Sequence, residues 1–239
     1  MASANSSPDD TRTRLLDTAG EVFAESGYQA ATVREICARA GVNLALVNYH
    51  FGDKLELYTE VLRRSLVAAN NSVVESTRGA GTPEEALRGM IGAMVSRICG
   101  MGHKTPHVRL MVHELAQPTP AMRRVIDEAL RPVYDRYREL IGAILERPVD
   151  DDVVRLCTSS IIGQIVHYAH ARAVMPQLWP ELQMTPERIG QVAAHIADFS
   201  LAGIGQYCAA RTPRLRGDAA SLRPEFARPG IRTTKRTKK

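Results

Sequence analysis

Residues 31–58, ATVREICARAGVNLALVNYHFGDKLELY, place three helix starts and two glycine stops within 28 residues. Such a stretch has to fold as short helices joined by tight turns. Thr32 with Glu35 three residues on forms a capping box, in which the hydroxyl takes up an orphan N–H of the first turn. Val33, Ile36 and Ala40 then fall on one face, and Gly41 ends that helix. Asn43 is a good cap for a third helix, predicted to run to about His50 before Phe51-Gly52 breaks it. Asp53 with Glu56 starts a long fourth helix, predicted to reach roughly Glu75. Period-2 alternation of β-branched residues is absent throughout, and aromatic residues make up only 5%. The fold class is therefore all-α.

The flanks extend the same pattern. Residues 1–9 are polar and small with Pro8, and are expected to be disordered. Leu15, Leu16, Ala19, Val22 and Phe23 repeat at helical spacing over about 10–26, with Gly27 as the stop. Downstream, Thr82-Pro83-Glu84-Glu85 is a strong start signal for a helix to about Ile98. Further helices are expected at 108–117, at 120–146 with Pro132 as a kink, at 152–173 and at 186–210. Beyond Arg211, apolar periodicity fades into Pro, Gly, Arg and Lys. The expected organisation is a disordered start (1–9), a three-helix unit (10–56), a larger helical body (57–211) joined to it by the long fourth helix, and a basic disordered tail (212–239).

Charge needs to be read by location. The formal net charge is +5, but from Arg211 to Lys239 ten basic residues face two acidic ones. The remainder holds 21 basic and 24 acidic residues, so the folded part is slightly negative. The basic character belongs to the tail and is poor evidence for a basic folded surface. The four cysteines, 37, 99, 157 and 208, are widely spaced with no C-x-x-C pair. A reduced protein fits this better than a disulfide framework. No apolar run reaches the roughly 18 residues needed to cross a bilayer, and the start MASANSSPDD lacks a signal peptide's apolar segment. A cytoplasmic protein with no membrane partner is expected.

Two short helices with a glycine turn between them, followed by a long helix, is a helix-turn-helix layout. The spacing supports it: Ile36 and Cys37 face the core, Ala40 is small where the helices cross, Val42 anchors the turn and Val47 packs back between them. At this point residues 10–56 resemble the DNA-binding domain of the tetracycline-repressor (TetR) family, above all in AGVNLALVNYHFGDKLELY after ATVREICARAG. The body is similar to that family's ligand-binding and dimerising domain. HELAQPTPAM (113–122) resembles the branch with a CerR/CecR-like C-terminal domain.

The resemblance implies DNA contacts at Thr32, Val33 and Arg34, along the reading helix at Asn43, Leu44, Ala45, Leu46, Asn48, Tyr49 and His50, and at Lys54. Asn48 stands where the family often has a tyrosine that holds a phosphate, so that role passes to Tyr49 or is lost. Ala45 replaces a common glycine. Periodicity qualifies the list. Leu44, Val47 and Phe51 share one stripe, which makes Leu44 half core, while Ala45, Leu46 and Tyr49 point away from it. An outward Leu46 can touch a thymine methyl. Tyr49 and Thr32 can reach phosphate, and Arg34 and Lys54 supply charge. His50 either caps the helix end or meets the DNA backbone.

Within the body, HELAQ opens like a zinc-protease motif, but Gln117 stands at the second ligand position, so neither metal nor catalytic residues are expected. His167 and His170 lie on one helix face, where a solvated pair is the simpler reading than a metal site. No cofactor is implied. A helical-bundle pocket for an unidentified small-molecule effector would draw on Arg109, His113, Tyr134, Tyr137, Gln164, His167, Tyr168 and Trp179, for each of which ordinary packing competes. Gly163, Ala193, Ala194, Ala197, Ala202 and Gly203 allow close helix approach, with Ile161, Ile162, Val166, Ile189, Ile196 and Phe199 for apolar area. A homodimer through 152–173 and 186–210 is the expectation. The functional expectation is a ligand-responsive homodimeric repressor on a palindromic DNA operator. The alternative is an architectural, nonspecific DNA binder aided by the basic tail.

Overall fold

The computed structural model describes residues 8–100, 106–171 and 174–209. The expected disorder of residues 1–7 and of the tail 212–239 lies outside the described residues. Among those described, the chain is all-α, with eleven helices and no strand. They are α1 (Pro8–Ala30), α2 (Val33–Ala40), α3 (Leu44–Phe51), α4 (Lys54–Glu75), α5 (Pro83–Cys99), α6 (Pro106–Ala116), α7 (Pro120–Ala129), α8 (Arg131–Leu145), α9 (Asp152–His170), the short α10 (Met175–Leu178) and α11 (Pro186–Ala209).

The start signals act as the sequence predicts. The side chains of Thr32, Asn43, Asp53 and Thr82 each accept a hydrogen bond from the backbone N–H three residues on. Gly41 adopts the left-handed conformation, φ 64°, in which its N–H and that of Val42 close the end of α2. Gly27 takes φ 72° and ψ 169°, a non-helical conformation that stops the first helical run as the sequence predicts, and a further helical turn follows it to Ala30. Two expectations need correction. Pro8 and Asp9 belong to α1 rather than to a disordered start, as suits a proline in a first turn. The expected single helix 120–146 is two helices, parted at Leu130. Pro132 lies in the first turn of α8, where its missing N–H costs nothing, so it begins a helix instead of kinking one.

Two apolar cores result. The first joins Leu15, Phe23, Ile36, Val47, Phe51, Tyr58 and Leu62 of α1–α4 to Leu110 of α6 and Met122 and Val125 of α7. The second joins Val73, at the far end of α4, to α5, α8, α9 and α11 through Ile91, Tyr137, Ile161 and Ile196. Helix α4 therefore has one end in each core. The body's α6 and α7 pack directly against the three-helix unit, so that unit shares its core with the body.

One local contact explains both the bend at Gly27 and a residue singled out from the sequence. A Cβ at Gly27 would lie 3.2 Å from His113 Nδ1. His113 Nε2 donates to Ala24 O at 3.3 Å, so α6 reads the bent backbone of α1. The next residue, Glu114, is buried and accepts from Thr119 N at 2.9 Å and Thr119 Oγ1 at 2.8 Å. The HELAQPT stretch is thus a clamp between α1, α6 and α7. Among the described residues, no three metal-ligating side chains converge there or elsewhere.

Candidate nucleic-acid interface

Helix α3 is short, and two buried side chains fix its orientation: Val47 is fully buried and Phe51 nearly so. The opposite face is left open. Ala45, Asn48 and Tyr49 are exposed, Tyr49 to 81%, and Leu46 and His50 are half-buried. Leu44 is 48% exposed, which corrects the expectation that it is half core. It is the first residue of α3, and sharing a stripe with Val47 and Phe51 does not bury it there. The Tyr49 ring sits edge-on to His50 with centroids 5.0 Å apart, leaving the hydroxyl in solvent.

At the start of α2, Thr32 and Arg34 are exposed, while Val33 is half-buried against the core. The Thr32 oxygen accepts from Glu35 N at 3.2 Å, and its own proton stays available to a phosphate. The cations divide sharply. Arg39 is held by Glu25 at 2.7 Å and Glu35 at 2.8 Å, and Arg12 by Glu60 at 3.2 Å. Lys54 is partly withdrawn: its Nζ donates to Gln29 O at 3.4 Å and sits 4.6 Å from the centre of the Tyr28 ring. Partial desolvation lowers its pKa. Arg34 has no acidic partner among the described residues. Thr32, Arg34, Asn43, Leu44, Ala45, Asn48 and Tyr49 are thus exposed around the start of α2 and along α3, with Leu46, His50 and Lys54 half-buried.

The residues considered for a pocket scatter. An apolar cavity of about 280 Å³ lies between α4, α5, α6, α8 and α9, lined by Leu66, Met94, Met111, Val133 and Ile162 among others. Of the eight residues considered, only Tyr134 lines it. Arg109 and His167 are exposed, and His113 serves the clamp. Gln164 bridges Ser160 O and Ser200 Oγ. Tyr168 lines a smaller, separate cavity with Cys99 and Met184. Trp179 lies at the surface beneath Arg188. Tyr137 is fully buried in the second core.

Two polar wall residues were missed, Asn70 and Arg97. Their signal was present in the sequence. Asn70 continues the Leu62–Leu66 spacing and Arg97 the Met90–Met94 spacing, so each is a polar residue on a core stripe.

The dimer expectation is also redistributed. Ile161, Ile189 and Ile196 are spent in the protomer's own core. Of the residues named for the dimer, Gly163, Ala194, Phe199 (64%), Ala202 and Gly203 are exposed on α9 and α11, where Leu156 and Tyr207 join them.

A capped short helix, locked from behind by apolar residues and open in front, is a helix-turn-helix reading head mounted on an α-helical body. Comparison with known proteins agrees. Residues 15–61 match the bacterial regulatory proteins of the tetR family, and residues 83–204 match the C-terminal domain of the HTH-type transcriptional dual regulator CecR. The chain belongs to the tetR family of transcriptional regulators, with a CecR-type C-terminal domain.

Among curated relatives, it is 39% identical over 134 residues to the HTH-type transcriptional activator FasR of Mycolicibacterium smegmatis, across 56% of this chain and 60% of that protein. It is 29% identical to the HTH-type transcriptional repressor AcnR of Corynebacterium glutamicum, across 66% of this chain and 87% of that protein. In fold it is similar to the regulator FadR of Bacillus subtilis solved with stearoyl-CoA, with TM-score 0.61, 19% identity, and coverage of 80% of this chain and 98% of that one. AibR, solved with isovaleryl coenzyme A and operator DNA, is equally similar, with TM-score 0.61, 20% identity, and coverage of 79% and 97%. No described helix is long and apolar enough to cross a membrane.

Proposed function

We propose that the protein is a homodimeric, effector-responsive repressor acting in the cytoplasm on a palindromic operator. The carrying observation is the open face of α3, Leu44, Ala45, Asn48 and Tyr49, held against a fixed core by Val47 and Phe51. Leu44, Ala45 and Leu46 offer apolar contacts to thymine methyls. Thr32, Arg34 and Tyr49 reach phosphates and set the register, and the low charge of α3 leaves discrimination to shape and methyl contacts. The exposed apolar residues of α9 and α11 supply a two-fold interface that pairs two reading heads. The cavity beside α4 is the natural effector site, because α4 also carries the core of the reading head. Its work on this reading is binding, with no chemical step.

The test is selection of duplexes from a random-sequence pool by the full chain at moderate salt. Recovery of an inverted repeat with fixed half-site spacing is the expected result. Enrichment of no motif at all would sink the reading. Removal of residues 212–239 separates it from the architectural alternative: a specific regulator keeps its motif preference, and a tail-driven binder loses most affinity and salt dependence.

A further inference from the structure

Arg97 presents an electrostatic problem inside the apolar cavity. It comes from α5 and lines a space otherwise walled mostly by leucine, isoleucine, valine and methionine. It makes no ion pair among the described residues. Among the described residues, one terminal nitrogen donates to Asn70 Oδ1 at 2.6 Å, the other to the Met94 thioether, and its Nε has no partner. Burial depresses its pKa, yet a guanidinium stays charged at any physiological pH. The nearby Tyr137 hydroxyl is also buried without a partner, and burial holds it protonated, as a donor. Three buried side-chain atoms among the described residues lack a hydrogen-bond partner, and two of them belong to this pair. Withdrawing a cation from water without a counter-charge is costly, and an anion is the chemical complement that repays it.

Resting on the reading of this cavity as the effector site, we propose that the effector is an amphiphile whose apolar body fills the cavity and whose anionic end pairs with Arg97. Carboxylate and phosphate ends share the required chemistry, since both accept a forked pair of guanidinium N–H bonds. The same contact reaches α4. Asn70 lies on α4, accepts from Arg97, and donates its side-chain N–H to Ala129 O at the end of α7. An anion that draws Arg97 toward itself competes for the guanidinium and loosens the tie between α5, α4 and α7. The shift is passed along α4 to Tyr58 and Leu57, which support the reading head.

The experiment compares decanoate, decyl phosphate and decanol, three probes with one apolar body and different ends. Each is titrated against the full chain by calorimetry and, in parallel, against its complex with the selected duplex. Wild type is expected to bind one or both anions at least about tenfold more tightly than decanol. Which anion binds better distinguishes a carboxylate from a phosphate source. Arg97→Gln and Arg97→Met should level the three affinities while decanol binding is kept. The melting temperature of the free Arg97→Met protein should not fall, since an unpaired buried charge has been removed. Equal binding of all three probes by wild type would refute the anion pairing while leaving the cavity as an effector site. So would a preference for anions that survives in both variants. Binding of none of them, with no effect on the duplex, would overturn the cavity assignment together with the pairing.

Discussion

The sharpest test of the interface is Tyr49→Phe. The side chain is 81% exposed and its ring rests against His50, a contact that phenylalanine keeps. The hydroxyl has no hydrogen bond among the described residues, so its removal should change stability by less than about 0.5 kcal/mol. On the proposed reading of the interface, the same hydroxyl donates to a phosphate. A hydrogen bond to a charged acceptor contributes about 1.5–3 kcal/mol, which is about 10- to 150-fold in affinity for each half-site. The loss should be similar for the selected duplex and for its point variants, because phosphate contacts carry no base information. A hydroxyl brings no charge and releases no counterion, so the salt dependence should keep its slope. Arg34→Ala, by contrast, should flatten that slope by about one per subunit.

Fluorescence anisotropy on labelled duplexes at four or five salt concentrations reads all three quantities. Binding by Tyr49→Phe as tight as wild type would refute the phosphate role. A loss seen with the selected duplex but absent in variants at one base pair would move Tyr49 from the backbone to a base edge. A changed melting temperature would mean that the hydroxyl serves the fold.

Other perturbations test the supports of this interface. Gly27→Ala should destabilise the protein by about 1–2 kcal/mol from its positive φ alone, and further through the 3.2 Å approach to His113; adding His113→Ala should recover only the steric part, as thermal melts of the two variants would show. Glu114→Ala leaves the buried N–H and hydroxyl of Thr119 without their acceptor and should cost on the order of 3 kcal/mol, measurable by urea unfolding and unaccompanied by any change in bound metal. Val47→Ala removes two fully buried methyl groups and should cost about 2 kcal/mol, lowering DNA affinity only as far as the folded fraction falls. Phe199→Glu places a charge in the exposed face of α11 and should convert a dimer to monomers in sedimentation velocity, with the melting transition kept; a monomeric wild type would remove the basis for that interface.

Local punctuation was legible and tertiary context was not. The caps at Thr32, Asn43, Asp53 and Thr82 were readable because each depends on a side chain and a backbone N–H three residues apart. The burial of Ile36, Cys37, Ala40 and Val47 followed from periodicity, since a helix shows its core face in its spacing. Leu44 escaped the same logic: periodicity gives direction around the axis but says nothing of where the neighbouring helix ends. Leu130 illustrates a second limit. The 120–146 pattern is apolar at helical spacing on both sides of the break, so the spacing alone does not mark the end of α7 at Leu130. His113, Glu114 and Gln117 looked like the remnant of a metal motif, yet the acidic residue is occupied by a neighbouring helix start. The polar groups of the cavity were visible as Asn70 and Arg97 on apolar stripes, but which stripe faces a cavity is decided by helices far away in sequence.

The arrangement of α4 gives a physical reason for the shared core. If the three-helix unit packed only on itself, a change in the body would have no means of moving it. Here Leu57, Tyr58 and Leu62 of α4 belong to one core, Val73 to the other, and Leu66 and Asn70 to the cavity between α4 and the body. The side of α4 near the reading head is tied to the body by ion pairs at the surface, Arg63 with Glu128 at 2.9 Å and Arg124 with Glu56. Exposed pairs of this kind contribute little to stability, about 0–1 kcal/mol each, and can exchange partners at small cost. The buried part is different, because close-packed side chains shift together instead of deforming. On the proposed reading, a ligand wedged beside Leu66 and Asn70 would displace α4 as a rod together with α3, whose Val47 and Phe51 share the first core with it. In a dimer a rotation too small to disturb either core still changes the distance between two reading heads. Affinity for a spaced operator then falls, while affinity for each isolated half-site stays as it was.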